Sequence, residues 1–281
     1  MYFYHAHAVA FGGRIGSTPL NVEQGSCALA VTGGISSANV SNFKFKDIAV
    51  KSAQSSVSGE ETTLASGPDT YVTKASVVLE GLNIKDVLKA DKIVGNVDST
   101  YTARDNEAVV KVSGSIKGLS IKGKEVPIQL SDAMATRYTT YGSMRVAFQN
   151  NFSQQFMNSL TGFGIPKPVS TAPRSKDLDA AYQAYTEQAQ LSDLKSAVVC
   201  SLLQDVNSLP EGANRWGPAI NVPEFGNIYL GEVIVWPWMR CLTMFRVELV
   251  GPDNMAQGSL SGGCVGANGT GFPPGSSAGN W

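Results

Sequence analysis

Leu79-Glu-Gly-Leu82-Asn-Ile84-Lys-Asp86-Val87 is the stretch that decides the fold class. Its apolar side chains stand at positions one, four and six, with a glycine at position three. That order describes a strand ending at a bend, then a strand whose alternate residues point inward. The pattern occurs before it as Val40-Ser-Asn-Phe43-Lys-Phe45-Lys-Asp47-Ile48 and after it as Ile116-Lys-Gly-Leu119-Ser-Ile121-Lys-Gly-Lys124, with starts 39 and 37 residues apart. A fourth copy, Phe225-Gly-Asn-Ile228-Tyr-Leu230-Gly-Glu232-Val233, follows 109 residues later. Each copy reads as one corner of a sheet, although a turn type shared by unrelated strands would leave the same trace.

Alternating runs lie around these copies, in Thr70–Leu79, Ala108–Ser113 and Tyr138–Phe148. Turn-forming clusters such as Ser58-Gly59 and Ser66-Gly-Pro-Asp69 separate them. The expected fold is therefore mainly β: repeated bent-strand units forming a sandwich, barrel or solenoid-like core, with a partly helical insertion. Residues 1–252 are expected to make one β-rich domain.

The insertion, 149–196, is marked by Gly164-Ile-Pro-Lys-Pro168 and Thr171-Ala-Pro-Arg174. Leu178, Ala181, Tyr182, Tyr185 and Ala189 then recur at helical spacing, which predicts a helix over about 176–190. From Ala197 to Leu203 the run favours a buried strand. Residues 253–281 are so rich in Gly and Ser that a flexible tail is expected.

The 281 residues carry 22 basic and 23 acidic side chains, a net charge of −1 and a charged fraction of 16%. An average soluble domain has roughly 25%, so the composition argues against nucleic acid as a partner. No apolar run approaches the ~18–20 residues of a membrane span, and no basic segment followed by an apolar one opens the chain. These features favour a soluble, cytoplasmic protein without a transmembrane segment. Cys27, Cys200, Cys241 and Cys264 show no metal-ligand spacing and read as reduced thiols.

Two places carry candidate chemistry. His5 and His7, at i and i+2, share one face if they lie on a strand, as a two-histidine metal site requires; the plainer alternative is two polar positions alternating with Ala6, Ala8 and Ala10. Trp236 and Trp238 flank Pro237 with Arg240 beside them, an aromatic platform for a sugar ring, a cation or a protein partner, or else a hairpin tip packed on its neighbours. Downstream, the alternation changes phase near Phe245-Arg246, which predicts a bulge. With both histidines at the N-terminus and no GxSxG elbow, a Ser-His-Asp site is excluded in any familiar form. Gly12-Gly13-Arg14-Ile15-Gly16 reads as a turn, and no cofactor is implied. A carboxylate pair brought together by folding is the remaining route to glycosidase chemistry.

Val77-Val-Leu-Glu-Gly-Leu-Asn-Ile-Lys-Asp-Val-Leu-Lys-Ala-Asp-Lys-Ile-Val94 and Ser113-Gly-Ser-Ile-Lys-Gly-Leu-Ser-Ile-Lys-Gly123 resemble the repeating core of the bacterial choice-of-anchor P proteins. His5–Arg14, Asn221–Glu232 and Leu242–Leu249 are similar to a group of bacterial proteins of about this length. The resemblance covers roughly residues 1–130 and 197–252. It implies a surface-associated β-rich protein and carries over no site residues. The leading expectation is a non-catalytic binding or assembly protein whose partner is a protein or a second copy, acting through the insertion and the Trp236–Trp238 tip. One alternative is a hydrolase or isomerase acting on a carbohydrate or small molecule in a β scaffold. Another is a toxin-like membrane-inserting β protein, with Tyr138–Phe148 as its hairpin.

Overall fold

A computed structural model describes residues 2–15, 18–19, 24–62, 68–103, 105, 107–144, 198–216, 218–236, 238–250 and 256–268. The strands in chain order begin with β1 (Ala6–Ile15), β2 (Thr18–Pro19), β3 (Gln24–Ala28), β4 (Gly34–Phe45), β5 (Ile48–Thr62) and β6 (Thr70–Ile84). Next come β7 (Leu88–Thr102), β8 (Val109–Lys117), β9 (Ser120–Ile121), β10 (Lys124–Glu125) and β11 (Ile128–Leu130), then the short helix α1 (Ala133–Thr136). β12 (Val198–Ser201), β13 (Leu203–Val206), β14 (Asn214–Trp216), β15 (Ala219–Val222), β16 (Gly226–Val235), β17 (Met239–Val250) and β18 (Ala256–Asn268) follow.

Among the described residues the strands form two antiparallel sheets packed face to face, neither closed into a barrel, so of the expected architectures the fold is sandwich-like. One sheet runs β14-β15-β16-β17-β18-β1-β2, with β3 on β1 and β12 on β16; the other runs β10-β9-β7-β6-β5-β4, with β8 on β7. β11 and β13 make a separate pair. Leu79, Ile93 and Val97 of the second sheet share one buried core with Leu242, Met244, Phe245 and Val265 of the first. Tyr2 stacks on Tyr71, centroids 4.4 Å apart, and meets Tyr4 edge-on, closing one end of the sandwich.

The bends run in lines across each sheet. Asn42, Gly81 and Gly118, position three of the first three copies, have φ of +51°, +64° and +62°. By register, Asn42 and Gly81 both face Lys51, and Gly81 faces Asp91. A Cβ on Gly81 would stand 2.7 Å from Lys51 Cβ, and one on Gly118 2.0 Å from Asp91 Oδ2. A left-handed residue without bulk at that point lets the neighbouring side chain through. The inward phase shifts there, which is why the buried Leu79 is followed by the buried Leu82 rather than by residue 81. The strands do not end at these bends, as the pattern alone suggested; β4 and β6 run through them.

The other sheet bends along Gly231, Met244, Gly263, Ala10 and Gly25, which face one another in register, with φ of +62°, +65° and +61° at the three glycines. Met244 and Phe245 are accordingly adjacent and both buried, the phase change expected there. The fourth copy differs from the others. Phe225, Ile228 and Leu230 are buried, but Asn227 at position three pairs regularly with Asn221 and Glu248, and the positive φ values fall on Gly226 (+127°) and Gly231 (+62°).

Three expectations are corrected. Residues 256–268, read as the start of a flexible tail, form β18 between β17 and β1, and Asn268 Nδ2 donates to Tyr2 Oη (3.1 Å) and the Phe3 carbonyl (2.8 Å). Their small side chains are what the site demands, since a Cβ on Gly262 would stand 2.4 Å from Phe245 Cε1. The glycine run read as a turn is strand through Ile15. Tyr138–Met144 is not strand; Met144 N–H donates back to Thr140 O at 3.3 Å, a helical turn. The insertion at 149–196, its helix at 176–190 and the tail at 269–281 lie outside the described residues. Of the run expected as strand, Val198–Ser201 form β12 and Leu203 opens β13, with Leu202 between them outside either strand. Among the described residues, no helix is long and apolar enough to cross a membrane.

Candidate functional site

Trp236 and Trp238 sit where β16 turns into β17, and Trp236 N–H closes the turn on Met239 O at 2.8 Å. Trp238 is 38% exposed, Trp236 less so. Arg240 does not join them. It is 2% exposed and points into the sandwich, where Nη1 donates to the carbonyls of Val110 (2.8 Å) and Tyr138 (2.6 Å). Trp238 belongs to the turn before β17, whereas Arg240 lies within the strand on its buried face, which sequence adjacency conceals. Burial, with the Cys200 and Glu107 charges opposing it, pulls the Arg240 guanidinium down to about 10. The aromatic platform therefore loses its cation.

His5 precedes β1 and His7 lies in it, their rings edge-on with centroids 6.1 Å apart. Among the described residues, no group of three His, Cys, Asp or Glu side chains is arranged to hold a metal ion. The four cysteines are free thiols, Cys27 and Cys200 buried.

Folding does bring two carboxylates together on the outer face of the first sheet. Arg246 donates through Nε and Nη2 to both oxygens of Glu232 (2.7 and 2.9 Å), pairs with Glu248 through Nη1, and lies 3.7 Å over the Tyr229 ring. Tyr229 Oη and Asn227 Nδ2 also donate to Glu248. A bidentate guanidinium between two carboxylates occupies the oxygens that acid–base chemistry on a ligand would need. Chemically this cluster is a strut of the sheet.

Among the described residues the long open edge is β4. It is the outer strand of its sheet, twelve residues long and in ladder pairing with β5 alone among the described strands, with β3 of the other sheet packed near it at Val40. No residue from Gly34 to Phe43 is charged or a proline, and Ile35 is 85% exposed, with Val31 beside the strand at 60%. The opposite edge, β8, is covered: Val110 N–H donates to Thr139 O, and its carbonyl accepts from Arg240. The other described edges are two to five residues long, from β2 and β10 to β3. Natural sheets blunt their edges with charge, proline or brevity, and β4 uses none of these before Lys44.

The family model described as a domain of unknown function, DUF8256, matches residues 2–236. The chain belongs to the DUF8256 family. No curated protein and no solved structure matches it. The DUF8256 match takes in the whole second sheet and stops at the Trp236 turn, whereas the first sheet continues through β17 and β18 to Asn268. β18 lies between β17 and β1, so the folded unit is larger than the DUF8256 match. Sequence reasoning missed β4 as a surface because edge position depends on strand order. The local signal, a long uncharged alternating run, was there to read.

Proposed function

We propose that this DUF8256 protein is a non-catalytic assembly protein, and that copies join by pairing their β4 edges. The observation that carries this is the twelve-residue edge itself: a row of backbone donors and acceptors with no charge before Lys44 and with Ile35 standing in solvent. Antiparallel pairing of two copies about a two-fold axis within 34–41 is self-complementary and puts the two Lys44 side chains at opposite ends, so like charges do not meet. A net charge of −1 leaves little repulsion between copies. A surface-associated β-rich protein is what the resemblance to choice-of-anchor P proteins implies, and an exposed pairing edge is compatible with it. The Trp236–Trp238 tip, without Arg240, supports a second contact less well than β4 supports the first.

The test is the solution mass of the full chain across a concentration series, against an Ile35→Lys/Ser37→Lys variant. Both side chains face solvent, so the fold tolerates the change while facing edges repel. An oligomer that the variant reduces to monomer is expected. A wild-type monomer at every concentration, or an oligomer indifferent to the two lysines, overturns the proposal.

A further inference from the structure

Three hairpin tips of the second sheet stand side by side at one end of the sandwich. They are Lys46-Asp47 between β4 and β5, Lys85–Val87 between β6 and β7, and Lys122-Gly123 between β9 and β10. Backbone bonds stitch them into a row: Lys85 N–H donates to Asp47 O (2.7 Å) and Lys122 N–H to Val87 O (2.8 Å). Each tip carries a lysine in the left-handed region, with φ of +49°, +53° and +50° at Lys46, Lys85 and Lys122. Glycine and asparagine are the residues that backbone prefers. Lysine at all three tips is held against that preference, which sets three cationic side chains along one end of the sheet, with Lys46 Nζ 5.6 Å from the centroid of the Phe45 ring.

Successive tips are two strand spacings apart, about 9.5 Å. Lys44 and Lys89 add to the row, and Lys124 stands beside it with Nζ donating to Leu209 O (3.0 Å), against Asp47, Asp86 and Glu125. Between the first two tips lies an open hollow of about 430 Å³, lined by Lys44, Lys46, Asp47, Asn83, Lys85 and Asp86. Asp86 is fixed there by Asn83 Nδ2 (2.9 Å) and by an ion pair with Lys89 (2.9 Å).

We propose that this row binds an acidic polysaccharide, its carboxylates on Lys46, Lys85 and Lys122 and its hydroxyls in the hollow. Carboxylates set among the lysines accept hydrogen bonds from sugar hydroxyls and repel closely spaced phosphates. Nucleic-acid phosphates come one per ~3.4 Å of helix axis on each strand, denser than the row. A chain with one carboxylate per sugar or two is sparser and brings many hydroxyls. The near-zero charge of the whole molecule hides this end, because the lysines are concentrated in the second sheet.

The experiment measures binding of the full chain to polygalacturonate at low ionic strength, with neutral dextran and poly(rA) as comparison polymers. In the tip variant, Lys46→Asn/Lys85→Asn/Lys122→Asn, asparagine suits the left-handed turns, so the fold is kept; matched unfolding midpoints verify this. A control variant, Lys74→Gln/Lys111→Gln/Arg137→Gln, makes the same change in net charge away from the tips. Expected are polygalacturonate binding that weakens with salt, at least about a tenfold loss in the tip variant and less than about a twofold loss in the control. Equal losses in the two variants, tighter binding of poly(rA), or no binding of polygalacturonate overturns the proposal.

Discussion

A Cβ on Gly114 would stand 2.4 Å from Sδ of Met244, a residue of the opposite sheet. Gly95 makes the same allowance, 2.8 Å from Met244 Cγ. The two glycines form a socket, and the Met244 thioether fills it as the joint between the layers. Gly114→Ala is expected to destabilise by about 1–3 kcal/mol through overpacking, and Met244→Ala by about 2–5 kcal/mol through the cavity it leaves. Combined, the added methyl occupies part of that cavity, so the double variant should lose less than the sum of the singles. Urea unfolding of all four proteins closes the cycle; strict additivity would mean that the two side chains do not share the space.

The bend lines make a second contrast. Gly263 has φ +65°, and its Cβ would lie 2.6 Å from Met244 Cβ; Gly123 has φ +75° with nothing within 4 Å. Gly123→Ala should cost only the left-handed strain, about 1–2 kcal/mol. Gly263→Ala adds a collision with an element that cannot retreat, for about 2–5 kcal/mol in all. Equal losses in urea denaturation would show that backbone strain alone, and not the close approach, requires glycine in the bend.

Those bends mark where the sequence was legible. Positions one, four and six of Val40–Ile48 and Leu79–Val87 are spaced by three and then two because the inward face changes sides at position three, and that is a local property. What could not be read is non-local. β18 is ordered by strands on both sides of it, 256–268 pairing with 239–250 and with 6–15, so its glycines looked like a tail until their neighbours were in place. Arg240 was misassigned for the same reason: its partners, Val110 and Tyr138, lie 130 and 102 residues away.

Arg240 itself gives a third prediction. Replacing a buried ion by an apolar side chain is often harmless when its partners are replaced too. Here the partners are backbone carbonyls, from which Arg240→Met removes the two buried hydrogen bonds. A loss of about 2–4 kcal/mol is expected. It should also be local, with faster hydrogen exchange through Tyr138–Met144, the segment the guanidinium fastens to β8. Unchanged exchange there alongside a global loss would mean that Arg240 acts only through the core.

The last prediction concerns alkali. Burial pushes the thiols of Cys200 and Cys241 from an ordinary 9.0 up to about 12, and burial with the nearby Glu61 charge pushes the Tyr4 phenol from 10.0 to about 12. Each raised group keeps its proton in the folded chain at a pH where the unfolded chain has lost it. Their contribution is therefore complete below pH 9 and declines as pH rises from 9 toward 12. Arg240 works the other way: with its value lowered from 12.5 to about 10, the unfolded chain binds the extra proton between those limits, and stability gains. Cys27, Tyr2 and Tyr71 are raised by burial as well and Arg215 is lowered, so the raised groups outnumber the lowered ones and the net change is a loss. The urea midpoint should stay level from neutral pH to about pH 8 and fall from pH 9 upward. Cys200→Ala should flatten that fall. A midpoint that held level to pH 11, or a Cys200→Ala protein that lost stability as steeply as the parent, would show that the folded and unfolded chains release these protons at the same pH.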